Sequence, residues 1–168
     1  GGGRNWPSGA YDPTTNTMFF PLQNGCTNVT SVLDRPTLDS LYGITMRNAP
    51  SPQPGVQRGT VQAFSVETGV TRWTYQQAAD TTSLMTTAGG LVFYGNQHGH
   101  VKAVDAKNGN VLWQFSVGTG IIQSPVTFSV GGKQYLAVVA GRSKGPPSFF
   151  GKIGQRVIDA SPEGGILA

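Results

Sequence analysis

Apolar and polar positions alternate twice along this chain in nearly the same words. Residues 59–75 read Gly-Thr-Val-Gln-Ala-Phe-Ser-Val-Glu-Thr-Gly-Val-Thr-Arg-Trp-Thr-Tyr, and residues 99–115 read Gly-His-Val-Lys-Ala-Val-Asp-Ala-Lys-Asn-Gly-Asn-Val-Leu-Trp-Gln-Phe. Gly59 answers Gly99, Val61 answers Val101, Ala63 answers Ala103, Gly69 answers Gly109 and Trp73 answers Trp113, each pair 40 residues apart (59 to 99, 73 to 113). In each copy a period of two predicts a half-buried strand. Glu67-Thr68-Gly69 and Lys107-Asn108-Gly109 then supply a tight turn. A second strand follows over 71–75 or 111–115, rich in β-branched and aromatic residues. The small Ala, the Gly and the Trp of a copy are expected to fit together, the indole lying over the space that the small residues leave. Between the copies, 89–95 is a short apolar run bounded by glycines, as in a fully buried inner strand. About four strands per 40 residues is the size of one propeller blade.

The flanking pattern is less regular. Residues 10–22 predict a hairpin whose second strand is ended by Pro21. Periodicity fails over 23–57, where Pro36, Pro50, Pro52 and Pro54 mark a long irregular insertion or loop; one helical turn over 37–42 is the most it supports. A strand is expected over 121–130, turning at Gly131-Gly132 into a strand over 133–141. That last strand is apolar on both faces, which predicts deep burial. Residues 143–154 form a Gly/Pro/Ser loop carrying Phe149 and Phe150, 156–160 head toward a closing strand, and 164–168 resemble the start of another.

The Ala-x5-Gly-x3-Trp spacing resembles the tryptophan-docking motif of the quinoprotein alcohol dehydrogenases, eight-bladed propellers that use pyrroloquinoline quinone (PQQ). Further segments carry the same resemblance in the same order. Gly2-Gly3-Arg4-Asn5-Trp6-Pro7, with Ala10-Tyr11-Asp12-Pro13, is similar to the family's Gly-Gly-x-Asn-Trp-x-Pro and Ala-Tyr-x-Pro segment. Residues 84–93 are similar to its Thr-x-Gly-Gly-Leu-Val-Phe strand, and 118–126 with 132–138 to its final blade. The resemblance implies an all-β chain of about four blades, an incomplete ring, with 1–168 forming the C-terminal part of the propeller domain. It implies oxidation of an alcohol by PQQ with Ca2+ or a lanthanide, and electron transfer to a cytochrome c or a quinone. In that chemistry a carboxylate takes the hydroxyl proton, hydride passes to the quinone C5, and the metal polarises the quinone. It further implies the periplasm. The aspartate base, the metal ligands and an adjacent-cysteine disulfide belong to an upstream segment in the family, so this chain alone is expected to be inactive. The remaining half of the propeller would come from the same parent chain or from a partner subunit, because an open ring exposes blade edges. A non-catalytic propeller scaffold of the outer-membrane assembly type, binding protein partners, shares the docking motif and is the alternative; it gives no reason for Gly-Gly-x-Asn-Trp-x-Pro. A cofactor-free sugar- or polymer-binding propeller is a third class.

Composition narrows these classes. There are 24 Gly, 11 Pro, 12% charged and 38% hydrophobic residues, which fits buried sheets joined by short turns rather than disorder. The formal charge of +4 comes from scattered Lys and Arg, without the clustering that nucleic-acid binding needs. No apolar run reaches membrane-spanning length. A single cysteine, Cys26, excludes an intrachain disulfide, and with two histidines the chain is a poor zinc binder.

Four residues are site candidates. Through the resemblance, Asn5 hydrogen-bonds the quinone side of PQQ and Trp6 lies beside it; the amide offers both donor and acceptor. Read without the resemblance, Asn5 caps a turn and Trp6 is blade core. Phe149 and Phe150 lie where relatives carry an aromatic loop near the cofactor, and either line a substrate entrance or plug the last blade. Trp73 and Trp113 are expected to be packing residues. Cys26 lacks a histidine or charge to activate it. His98 and His100 read as exposed turn residues, and Asn28-Val29-Thr30 matches a glycosylation sequon without a context that makes it meaningful.

Overall fold

The computed structural model describes residues 3–4, 6–31, 44–49, 51, 53–78, 81–121, 123–141 and 165–167. Every regular element among them is a strand. The first part contains β1 (Ala10–Asp12), β2 (Thr17–Gln23), β3 (Cys26–Ser31), β4 (Ile44–Ala49), β5 (Gly59–Ser65) and β6 (Thr71–Gln77). Then come β7 (Thr81–Thr86), β8 (Leu91–Asn96), β9 (His100–Asp105), β10 (Val111–Ser116), β11 (Val126–Val130), β12 (Lys133–Ala140) and β13 (Gly165–Leu167). They form two four-stranded antiparallel sheets, β1-β2-β5-β6 and β7-β8-β9-β10, a three-stranded sheet β11-β12-β13 and a two-stranded ribbon β3-β4. The larger sheets are propeller blades, and among the described residues they do not close a ring.

The two copies of the repeat are the two outer strands of successive blades. Within each, Ala and Trp are cross-strand neighbours: Ala63 pairs with Trp73 and Ala103 with Trp113. The docking, however, runs between copies. Trp73 sends its indole N–H to the Ala106 carbonyl at 2.9 Å. A Cβ added to Gly109 would meet the Trp73 ring at 2.6 Å, so the ring lies flush on the glycine of the next blade. The expectation of a fit inside one copy is therefore corrected, because the face that Trp73 covers belongs to the neighbouring sheet. Its other contact is Phe19, with ring centroids 5.7 Å apart. Phe19, Val61, Ala63, Leu84, Val92, Tyr94, Val104 and Ala106 make up this inter-blade core, with Ala10, Trp73 and Tyr75 packed against it.

A smaller core of Val101, Ile121, Val138 and Ala140 joins the second blade to the third sheet. Ile121 is held by a single bridge to Ala140, and the strand expected over 121–130 starts only at Val126. The turn at Gly131-Gly132 is present, both residues at positive φ. Burial of the following strand is one-sided, since Val138 and Ala140 are buried while Val139 is 46% exposed. Being apolar on both faces buries a strand only where a sheet lies on each side, and among the described residues one face of this sheet has no neighbour. The closing strand is Gly165–Leu167, paired with β12; residues 156–160 lie outside the described residues, as do 37–42.

Two further expectations are adjusted. The stretch 23–57 is not irregular throughout, for β3 and β4 pair over Cys26↔Ala49 to Ser31↔Ile44. Pro21 does not end its strand, since β2 runs on to Gln23 and Pro21 pairs with Val61.

The β1–β2 turn is built by Asp12. Its carboxylate accepts the Thr14 N–H at 2.9 Å and the Thr15 hydroxyl at 2.8 Å. The Thr15 hydroxyl holds the Asp12 pKa below the usual value of 3.8; burial opposes, and the Thr14 N–H adds to the lowering. A depressed folded pKa stabilises fully above the unfolded value and is lost as pH falls through the folded one. Asp12→Ala is accordingly expected to cost about 1.5 kcal/mol at neutral pH. In urea unfolding that gap should narrow well below pH 3.8, where the carboxyl takes up its proton.

Candidate functional site

Residues 3–9 lead into the first inner strand, and their shape follows from Pro21. Gly3 exchanges two 2.8 Å backbone hydrogen bonds with Gln23, at a φ of +81°. Backbone groups two residues apart on a strand face the same side, so Pro21 turns its N–H-less nitrogen toward the stretch between Gly3 and Ala10. Pro21 has no N–H to donate there, and seven steps separate Gly3 from Ala10 (3 to 10) against four between Phe19 and Gln23 (19 to 23), so the longer stretch arches out of the ladder. It is fixed again at Ser8, whose N–H goes to the Ser83 hydroxyl at 3.0 Å and whose carbonyl accepts the Leu84 N–H at 3.0 Å. Gly9 then lies so close to Phe19 and Phe20 that a Cβ would meet the Phe19 carbonyl at 2.5 Å. Both ends of the arch are thus tied, one to β2 and one to the inner strand β7.

The arch presents two side chains. The Arg4 guanidinium lies 5.2 Å from the Phe20 ring centre. Trp6 is 90% exposed among the described residues. Asn5 between them lies outside the described residues, and so do Phe149 and Phe150. Of the four candidates the described residues therefore include Trp6 alone.

Elsewhere, Trp73 packs between blades as described. Trp113 stacks on Phe115 at 6.1 Å and is 46% exposed, as every residue of β10 is exposed. His100 is partly buried, with its backbone N–H on Asn96 Oδ1 at 3.0 Å. Burial, then Lys102 and His98, lower its imidazole pKa. Cys26 is exposed at the start of β3, and the sequon lies on the same exposed strand. Among the described residues no three His, Cys, Asp or Glu side chains cluster for a metal.

Sequence reasoning missed one constellation. Lys102 is buried between the first two blades, donating to the Tyr75 hydroxyl at 2.8 Å and to Gln77 Oε1 at 3.1 Å. Asn96 Nδ2 also donates to Gln77 Oε1, and Gln77 Nε2 donates to the Thr81 hydroxyl. The signal was in the repeat's mismatches, since Lys102 stands against Gln62 and Tyr75 against Phe115.

Stacked four-stranded sheets, a 40-residue period and a tryptophan of one blade bonded to the next define a propeller of the tryptophan-docked class. A family model described as outer membrane protein assembly factor BamB matches residues 47–144. Over most of its length the chain is similar to quinoprotein dehydrogenases. It is 34% identical to the lupanine 17-hydroxylase [cytochrome c] of a Pseudomonas species, covering 83% of this chain and 20% of that protein. It is 29% identical to the 1-butanol dehydrogenase (quinone) of Thauera butanivorans, covering 92% and 25%. A solved europium-containing methanol dehydrogenase superposes with a TM-score of 0.80 at 29% identity, covering 98% of this chain and 32% of that one. The chain belongs to the family of PQQ-dependent quinoprotein alcohol dehydrogenases. It spans about a fifth to a third of the length of these relatives.

Proposed function

We propose that the complete protein oxidises an alcohol with bound PQQ, and that the arch over residues 3–8 forms part of the cofactor pocket. The observation that carries this is Trp6, an indole 90% exposed on a segment fixed at both ends. Exposing so large an apolar ring on tied backbone is unfavourable unless something covers it, a planar cofactor or a part of the protein outside this chain. Two residues earlier Arg4 supplies a cation, seated over Phe20, and an aromatic plane with a positive charge suits a planar, carboxylated quinone. When bound, PQQ supplies the hydride acceptor and its metal, Ca2+ or a lanthanide, the Lewis acid. The chain's own part is to orient the quinone through the Asn5 amide, to cover it with Trp6 and to exclude water from one side. Phe149 and Phe150 are assigned to the aromatic rim of the same pocket. The base and the metal ligands are assigned to parts of the protein that this chain does not cover, and the isolated chain is expected to be inactive.

Electron transfer to a cytochrome c or a quinone is supported by the names of the lupanine and butanol enzymes, and a periplasmic location by the family. No helix among the described residues is long and apolar enough to cross a membrane. The scaffold reading has the description of the family model in its favour, but that match covers only 47–144 and leaves the arch without a purpose. Reconstituting the complete protein with PQQ and Ca2+ or a lanthanide, then following dye reduction, separates the two. Saturable turnover with primary or secondary alcohols is expected; no cofactor spectrum and no turnover would sink the dehydrogenase reading.

A further inference from the structure

The interior between the first two blades holds hydrogen-bond donors without acceptors. Lys102 is 7% exposed, and among the described residues its ammonium has two partners, the Tyr75 hydroxyl and Gln77 Oε1. An ammonium carries three N–H groups, so one is left over. Tyr75 accepts from Lys102, with Nζ 5.0 Å from its ring centre, and keeps its own hydroxyl proton to donate. Tyr94 is 0% exposed and its buried hydroxyl has no hydrogen-bond partner among the described residues. It stands opposite Lys102 across the β8–β9 ladder, and its ring lies 6.4 Å from that of Tyr75. Burial, with Tyr75 adding to it, pushes the Tyr94 phenol upward, so it stays protonated and a donor.

Acceptors are scarce by contrast. Both lone pairs of Gln77 Oε1 are taken, by Lys102 and by Asn96 Nδ2. The Thr81 hydroxyl accepts from Gln77 Nε2. No carboxylate among the described residues is hydrogen-bonded to Lys102. A buried cation and a buried hydroxyl left in this state are both costly.

We propose that one small monovalent anion of halide size binds here, between the blades, held by the ammonium of Lys102 and the hydroxyls of Tyr94 and Tyr75. A water molecule fits these groups worse. It would accept two of the donors but bring two hydrogens of its own, and it would leave the positive charge unmatched. A halide accepts all the donors and cancels the charge. The anion then completes the polar part of an interface whose apolar part is the Trp73 dock.

The test uses the complete protein. Crystals grown with bromide in place of chloride should show an anomalous peak within hydrogen-bonding reach of Lys102 Nζ and the Tyr94 hydroxyl. At constant ionic strength, replacing gluconate by bromide should raise the Tm along a saturable curve. Tyr94→Phe keeps the ring and should weaken the apparent bromide affinity about tenfold, the loss expected for one hydrogen bond to a charged group. Lys102→Met should remove the bromide response altogether. Where either variant does not fold, the wild-type crystal and Tm curve decide. A map with only water at the site overturns the proposal, as does one in which the carboxylate of Asp80, outside the described residues, lies against Lys102. A bromide peak with no difference in Tm between bromide and gluconate overturns it too.

Discussion

Trp73→Ala in the complete protein is expected to cost about 3–5 kcal/mol, the range for truncating a large aromatic side chain that packs a core. The indole contributes through three contacts that alanine loses together. It lies on Gly109, it meets Phe19 at 5.7 Å, and its N–H satisfies the Ala106 carbonyl at 2.9 Å. Trp73→Phe keeps most of the apolar surface and loses the hydrogen bond, so about 1–2 kcal/mol should go with that bond and the smaller ring. Urea unfolding with both variants separates the packing and polar parts. Equal losses would mean that the hydrogen bond alone holds the dock.

Gly109→Ala is expected to be nearly as damaging, and its counterpart Gly69→Ala far less so. Both glycines have positive φ, +75° and +69°, so each alanine pays the left-handed backbone penalty of about 1–2 kcal/mol. Only at Gly109 does the new methyl meet something, the Trp73 ring at 2.6 Å, whereas at Gly69 there is nothing within 4 Å. The ring must shift off the next blade, adding about 1–3 kcal/mol of overpacking. The difference between the two alanine variants therefore isolates the dock from the backbone. A double variant with Trp73→Ala should recover much of the Gly109→Ala excess, since the clash needs the ring.

The same pair of glycines shows what the sequence could and could not reveal. Identity at a 40-residue period made the blades and their outer hairpins legible. The direction of docking was not, because Trp73 and Gly109 belong to different copies and the spacing within one copy contains no information on its neighbour. The ribbon β3–β4 escaped notice because neither face packs against a core: Val29 and Met46 are 58% and 64% exposed, and no apolar period marks such strands. Pro21 misled for a related reason, being tolerable inside β2 only because its nitrogen faces a gap in the ladder. The third sheet erred in the opposite sense, its apolar faces suggesting a burial that needs a neighbouring blade. At the candidate site, the exposure of Trp6 and the ties at Gly3 and Ser8 came from the structure, while the choice of Asn5 and Trp6 came from the motif. Lys102 was silent in the pattern, since a lysine on a strand reads as solvated unless the repeat's mismatch with Gln62 is noticed.

The arch is the part of the chain on which the functional account rests, and PQQ binding by Asn5→Ala tests it most directly. The complete protein and this variant should be loaded with PQQ and metal and passed through gel filtration, with retained quinone absorbance and Tm measured on each. Asn5→Ala is expected to lose retained PQQ, or to turn over more slowly, at a Tm nearly equal to the wild type. Full PQQ retention and turnover with a large drop in Tm would contradict it and make Asn5 a turn cap.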